Sequence, residues 1–204
     1  MIQIEAISKS YNYNKLFEDF SATYHYGKIY GIAGRNGSGK STLLKMISNF
    51  ITPSTGKIVY ANREGQSIQM DAIYKEISYA APYIEPFIDG SLEEAVLFHF
   101  SIKKIHPNTT TSQILQTLNI DKNKTVQSFS TGMLQRLKLI LAICTDTPFL
   151  LIDEPTETLD AQGKQWFQEL LNTFAENRIV LIASNNPNDF ESCVEVKNIE
   201  DFKK

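Results

Sequence analysis

A glycine-rich stretch of this chain has the residue types that can hold a phosphate chain. The segment "GRNGSGKST", 34–42, fits the pattern G-x-x-x-x-G-K-[ST] between a predicted strand and a predicted helix. Glycines let consecutive backbone N–H groups surround an anion without Cβ clashes, and the following helix adds the positive end of its dipole. Lys40 can reach the β- and γ-phosphates of a nucleotide, and the Ser41 hydroxyl can ligate Mg²⁺. The predicted nucleotide-binding residues of this loop are Gly34, Arg35, Asn36, Gly37, Ser38, Gly39, Lys40, Ser41 and Thr42.

Two adjacent carboxylates follow an apolar run in "FLLIDEP". Asp153 and Glu154 therefore come at the carboxyl end of a predicted buried strand, the edge at which open α/β sheets bind their ligands. We expect Asp153 to hold Mg²⁺ through water, opposite Ser41. Glu154 is then placed to accept a proton from a water molecule that attacks the γ-phosphate. The alternative is that two acids only solvate the end of a strand, and the phosphate loop favours the catalytic interpretation.

A third polar group follows the last apolar run, "IVLIASNNP". The buried strand delivers Ser184, Asn185 and Asn186 to the same predicted sheet edge. An asparagine amide can donate to a phosphate or hold Glu154, but it cannot become cationic. The alternative is that the asparagines only start the turn before Pro187, and both interpretations can hold together.

The elements that must position these residues follow from the periodicity of the chain. Alternating stretches at 2–7 and 20–24 predict antiparallel strands, and 28–34 predicts the buried strand before the phosphate loop. A helical block at 91–142 opens with a capping box, Ser91-x-x-Glu94, and interrupts the α/β pattern. Further strands are predicted in "GKIVY", "EISYAAP", "PFLLIDEP" and "RIVLIAS", and further helices at 41–50 and 161–175.

Composition narrows the class of protein. The 204 residues suffice for one sizeable core, and 42% hydrophobic with 21% charged residues is typical of a soluble globular protein. A net charge of -3 argues against non-specific nucleic-acid binding. No apolar run approaches the roughly 20 residues that span a bilayer, and the N-terminus lacks the pattern of a signal peptide. Cys144 and Cys193 lack the spacing of a metal site, so we expect reduced thiols and an intracellular protein.

The order of three motifs along the chain indicates a family. The phosphate loop, "FSTGMLQR" at 129–136 and the carboxylate pair resemble the ATP-binding cassette (ABC) family over essentially the whole chain, in which a signature similar to "LSGGQxQR" follows a helical subdomain. The resemblance implies an α/β fold: a P-loop NTPase (RecA-like) core with an antiparallel β subdomain and an inserted α-helical signature subdomain. It implies a single domain over 1–204, with the core at about 1–85 and 145–204 and the helical subdomain at about 86–144.

The resemblance also implies partners and ligands. Two cassettes would pair head to tail around ATP and Mg²⁺, so that the signature of one chain contacts the γ-phosphate held by the other. "TETLD", 156–160, is similar to the loop that crosses this interface, with Asp160 at its end. Tyr11 is similar in position to the aromatic residue that stacks on adenine, and Tyr13 is a second candidate. The signature residues implied are Ser130, Thr131, Gly132 and Met133.

Plainer interpretations of two of these sites stay open. Ser130 can be simply the N-cap of a helix. Tyr11 can be an ordinary exposed tyrosine at the end of a strand.

Two positions depart from the family pattern. The family ends the strand similar to "ISYAAP" with a glutamine that contacts Mg²⁺ and the attacking water, whereas this chain has Pro82; Glu85 is a candidate substitute. After the last core strand the family usually has a histidine, the switch histidine, and this chain has Asn185 at that position. We therefore expect Asn185 to be the second catalytic residue beside Glu154. The only histidines, His25, His99 and His106, lie elsewhere in the sequence.

The leading hypothesis is the ATP-binding and hydrolysing subunit of an ABC transporter, of the export type, with a separate membrane-spanning partner. We expect a homodimer, no binding to nucleic acid and no direct lipid binding. The protein would be cytoplasmic and peripheral on the inner face of the cell membrane, docked through 91–142 and the loop at 82–85. The alternatives are a slow or non-hydrolysing nucleotide switch that scaffolds a membrane complex, and a soluble ABC ATPase that acts on the ribosome or DNA.

Overall fold

The computed structural model describes residues 1–12, 14–86 and 89–203. Its strands, numbered along the chain, are β1 (Ile2–Tyr11), β2 (Asn14–Tyr24), β3 (Lys28–Ala33), β4 (Thr55–Ala61), β5 (Ser67–Ile68), β6 (Ile77–Ala80), β7 (Phe149–Asp153), β8 (Ile179–Ser184) and β9 (Glu195–Asn198). Its α-helices are α1 (Lys40–Ile47), α2 (Ile73–Glu76), α3 (Leu92–Ile102), α4 (Thr111–Leu118), α5 (Thr131–Ile143) and α6 (Ala161–Phe174). Short 3₁₀ helices lie at Val126–Ser128, Pro187–Phe190 and Ile199–Phe202.

A five-stranded parallel sheet of order β6-β7-β8-β3-β9 forms the centre of the molecule. Every residue of β7 and β8 is buried, as expected for strands covered on both faces. Asp153 pairs with Ala183, and Ser184 pairs with Ala33. The carboxyl ends of β3, β7 and β8 therefore meet at one edge, which brings the three polar groups together.

Two hydrophobic clusters pack against opposite faces of this sheet. One joins the sheet to α3, α4, α5 and α6, and it contains Leu150, Leu137 and Phe167. The other joins it to α1 and to a second, antiparallel sheet of order β2-β1-β4-β5. The α/β fold with an antiparallel sheet and inserted helices agrees with the predicted fold class. In the part of the chain that the structure describes, no helix combines the length and apolar character needed to cross a bilayer.

The first two strands are longer than the alternating pattern predicted. The register of β1 shifts between Ile4 and Ile7 and again on both sides of Lys9. Each irregularity moves the side chains to the other face, so the simple alternation is lost although the pairing continues. The pattern therefore predicted only 2–7 and 20–24 of strands that run through Ile2–Tyr11 and Asn14–Tyr24.

Capping residues set the starts of two helices in the inserted block. Ser91 accepts from the backbone N–H of Glu94 and Glu94 accepts from that of Ser91, which confirms the predicted capping box of α3. Ser130 caps α5. The sequence did not predict β9, because it is a four-residue edge strand of polar composition, "EVKN".

Candidate functional site

The phosphate loop connects β3 to α1 through backbone conformations that favour glycine. Gly34 has φ of 153°, and a Cβ there would lie 2.5 Å from the Ser38 Oγ. Gly39, with φ of 113°, directly precedes α1, and a Cβ there would lie 2.9 Å from Leu16 Cγ of β2. Both positions therefore need glycine, because any side chain would meet a clash and an unfavourable φ.

Lys40 fills the loop with a buried positive charge. Its side chain is 4% exposed, and Nζ donates to the carbonyl oxygens of Gly34, at 2.8 Å, and Arg35, at 3.3 Å. Nζ also lies 3.0 Å from Oε1 of Glu154. A triphosphate placed in this loop would offer the same ammonium group stronger, charged acceptors.

Asp153 presents a buried carboxylate to the same loop. The residue is 1% exposed, and neither carboxylate oxygen has a hydrogen-bond partner among the described residues. Burial raises the pKa of Asp153 to about 6, and the nearby Ser41 hydroxyl opposes this rise. A buried carboxylate with so few polar contacts is costly, so the group fits a cation, and hard cations such as Mg²⁺ take oxygen ligands of this kind. Asp153 and Ser41 are the residues that would hold such an ion.

Glu154 sits between the loop and the end of β8. Its φ of 48° is in the left-handed region, which is uncommon for a residue other than glycine, and its N–H donates to the Ala183 carbonyl at 2.8 Å. Oε2 lies 3.2 Å from Ser184 Oγ and 3.3 Å from the backbone N of Asn185. The carboxylate is thus placed with one oxygen toward Lys40 and one toward β8.

The two asparagines after β8 have different contacts. Asn185 is exposed, and its Nδ2 donates to Oδ1 of Asn36 in the phosphate loop at 2.8 Å. Asn186 accepts from the backbone N of Asn188 at 3.2 Å and caps the 3₁₀ helix Pro187–Phe190. Asn186 therefore starts a turn, while Asn185 reaches the loop.

The signature segment is bonded to the carboxylate segment of its own chain. Ser130 is exposed and accepts from the backbone N–H of Met133 at 3.3 Å, so it does cap a helix. A Cβ at Gly132 would lie 3.3 Å from the carbonyl oxygen of Thr158. The buried Gln135 donates to the carbonyl oxygen of Pro155 at 3.0 Å. The exposed start of α5 thus lies beside 154–158, and contact with a second chain stays a prediction for 130–133.

Asp160, the predicted dimer-interface residue, is exposed and caps α6 by accepting from the Gly163 N–H at 2.7 Å.

Tyr11, the candidate for stacking on adenine, is 53% exposed at the end of β1, with Lys9 Nζ 5.1 Å from its ring centroid. Its stacking on adenine stays a prediction. Tyr13, the second candidate, lies outside the described residues.

Glu85 and Tyr83, which follow Pro82, lie in different surroundings, and Glu85 is the candidate substitute for the family's glutamine. Glu85 is exposed and lines a cavity beside β6 together with Lys138 and His99. Tyr83 instead lies beside α1, with Lys45 Nζ 3.8 Å from its ring centroid. Burial raises the pKa of Tyr83 to about 12, and the nearby Asp153 adds to this rise. The sequence singled out Glu85 because it is acidic, and a tyrosine one residue after Pro82 gave no signal.

A buried polar network behind Glu154 was not predicted. Ser184 and Thr156 donate to the two carboxylate oxygens of Asp189, at 2.6 Å and 2.7 Å. Asp189 is 2% exposed, and burial raises its pKa, which these two hydrogen bonds oppose. Its sequence context, "NNPND", reads only as a turn, so the buried position of this carboxylate had no signal.

A strand–loop–helix with a buried lysine, beside a parallel strand that ends in carboxylates, defines a P-loop nucleotide-binding protein. A family model described as ABC transporter matches residues 17–157, and the chain belongs to that family. The resemblance found in the sequence is therefore confirmed. Members of this family are ATPases that bind ATP, and their ATP-binding subunits dimerise and work with transmembrane partners.

Individual relatives are similar over nearly the whole chain. The ABC transporter ATP-binding protein YtrB of Bacillus subtilis is 29% identical, over 98% of this chain and 69% of its own length. The lantibiotic transport ATP-binding protein SrtF of Streptococcus pyogenes is 28% identical, over 99% and 85%. A dimeric structure of the bacterial ABC transporter cassette MJ0796 has a TM-score of 0.81 at 19% identity, over 98% and 94% of the two chains, which shows the same fold.

Proposed function

We propose that this chain is the subunit that binds and hydrolyses ATP in an ABC transporter, and that two copies close head to tail on MgATP. The observation that carries the proposal is the convergence of Lys40, Asp153 and Glu154 at one sheet edge. Lys40 Nζ lies 3.0 Å from Glu154, and Asp153 has both carboxylate oxygens buried without partners among the described residues. Lys40 offers a cation for the phosphates of ATP, and Asp153 offers a ligand for the metal ion that accompanies them.

The chemistry assigns a separate task to each residue. Lys40 leaves its carbonyl acceptors for the β- and γ-phosphates, which holds the nucleotide. Asp153 and Ser41 would hold Mg²⁺, which would supply positive charge beside the phosphates. Glu154 accepts a proton from water as the water oxygen bonds to the γ-phosphorus and the bond to the β-phosphate oxygen breaks, giving ADP and phosphate.

Asn185 and Pro82 make this ATPase slow. Asn185 reaches the phosphate loop, where its amide can orient groups but supplies no charge. Hydrogen bonds from a charged donor are roughly twice as strong as neutral ones, so a neutral amide stabilises the developing charge less. Pro82 has no side-chain donor or acceptor for the water either.

The coupling partner is a separate membrane-spanning subunit, and this chain is peripheral to the inner face of the membrane through it. Support comes from α3, where Leu97, Phe98 and Ile102 are exposed, and from an apolar cavity of about 180 Å³ beside β6 and α5. Exposed apolar side chains grouped in this way suit a protein partner. The names of YtrB and SrtF, an ABC transporter protein and a lantibiotic transport protein, support a role in transport.

A second candidate function is a nucleotide switch that binds ATP without hydrolysing it. It is favoured by Asn185 and Pro82, which leave the site without the switch histidine and the glutamine that the family pattern places there. Glu154, whose carboxyl group lies 3.0 Å from Lys40 Nζ, favours hydrolysis instead.

Replacing Glu154 by glutamine separates the two functions. Glu154→Gln keeps the shape of the side chain and removes the base, so kcat should fall at least about 100-fold while the Kd for ATP changes less than about threefold. Steady-state phosphate release and calorimetric titration measure the two quantities. The control is Glu176→Gln, an exposed carboxylate after α6, which should behave like the parent. No turnover in the parent, with ATP still bound, would establish the switch.

A further inference from the structure

The polar network behind Glu154 contains a carboxylate that the reaction does not touch. Ser184 is 0% exposed and Asp189 is 2% exposed. Oδ2 of Asp189 accepts from Ser184 Oγ at 2.6 Å, and Oδ1 accepts from Thr156 Oγ1 at 2.7 Å and from Asn186 Nδ2 at 3.4 Å. Three donors thus converge on this buried group, as an ionised carboxylate requires.

Ser184 has one hydroxyl proton and two carboxylate neighbours. Its Oγ lies 2.6 Å from Asp189 Oδ2 and 3.2 Å from Glu154 Oε2. Because charge-assisted O–H···O⁻ bonds are about 2.5–2.7 Å long, the shorter contact is the one that holds the proton. Oε2 of Glu154 then has the backbone N–H of Asn185, at 3.3 Å, as its remaining donor among the described residues.

We propose that Asp189 is a positioning residue for ATP hydrolysis, which draws the Ser184 proton away from Glu154 and so keeps Oε2 of Glu154 free to accept a proton from water. The inference rests on the proposed function, because it requires Glu154 to act as the base. A hydrogen bond from Ser184 to Glu154 would instead occupy Oε2, the atom that has to accept from the water molecule.

The variant Asp189→Asn should reverse the direction of the Ser184 proton. An asparagine amide has one oxygen and one NH₂ group. Thr156 and Asn186 both donate toward one side of residue 189, so the amide oxygen of the new asparagine should face them. Its NH₂ group then faces Ser184. Ser184 then accepts from this amide and donates its own proton to Glu154.

The predicted cost is about tenfold in kcat, the size of one hydrogen bond to a charged group. The KM for ATP should change less than about twofold, because the phosphate loop keeps its own contacts.

Four proteins test the proposal: the parent, Asp189→Asn, Ser184→Ala and the double variant. Turnover and KM are measured in MgATP, and thermal unfolding is recorded for each. Ser184→Ala should lose no more than about threefold, and the double variant should recover to the rate of Ser184→Ala, because no hydroxyl is left to donate to Glu154. A purely structural role of Asp189 predicts a double variant at least as slow as Asp189→Asn.

The proposal is overturned if Asp189→Asn stays within twofold of the parent, or if Ser184→Ala fails to rescue it. If Asp189→Asn does not fold, Ser184→Ala alone decides: a small loss supports the proposal, and a loss of tenfold or more contradicts it. A parent without turnover, or with turnover that survives Glu154→Gln, would refute the proposed function and this inference with it.

Discussion

The ends of β7 and β8 lie side by side at one sheet edge, yet they present opposite chemistry. β7 delivers Asp153 and Glu154, two carboxylates next to the Lys40 ammonium group. β8 delivers Ser184, Asn185 and Asn186, which are all neutral, and their bonds go to Asn36, Glu154 and the buried Asp189. In the proposed function, the charged groups at the end of β7 bind MgATP and activate the attacking water. The neutral groups at the end of β8 only orient those charged groups. The comparison predicts strong binding combined with slow turnover.

The largest effect is expected for Lys40, the positive charge beside the carboxylates at the end of β7. Lys40→Ala removes a cation from beside two phosphates, so the Kd for MgATP should rise at least about 100-fold, the size of two hydrogen bonds to charged groups. Calorimetric titration measures it. Lys57→Ala removes an exposed lysine that pairs with Glu5 on the antiparallel sheet and should bind like the parent. An unchanged affinity of Lys40→Ala would refute the phosphate-loop assignment.

A smaller effect, on turnover, is expected for Asn185 at the neutral end of β8. Asn185→His supplies an imidazole beside Asn36 and Glu154, and its charge should stabilise the developing phosphate charge, raising kcat by about fivefold. The gain should decline as pH rises through about 6.5, because the imidazole loses its charge there. Turnover from pH 6 to 8 at saturating MgATP tests this, with Asn185→Ala as the matched variant. If both variants keep the parental rate and pH profile, Asn185 contributes only to the turn.

Local patterns account for the parts that the sequence predicted. The phosphate loop, the carboxylates after β7 and the capping box of α3 each depend on residues within a few positions, so their geometry follows from short motifs. The sequence predicted that Asn185 lies at the nucleotide site, but not that its partner is Asn36, 149 residues away. It did not predict the pairing of Thr156 with Asp189, which are 33 residues apart. Periodicity carries no information on such pairs.

In the proposed function, MgATP joins two copies of this chain through the phosphate loop of one and the segment 130–133 of the other. The most direct measurement is the mass of Glu154→Gln in solution by light scattering, with and without MgATP. We expect a mass of 23.1 kDa without nucleotide and twice that mass with MgATP. Lys40→Ala combined with Glu154→Gln should remain at the lower mass in both conditions. A Glu154→Gln protein that binds MgATP and stays at 23.1 kDa would contradict the claim.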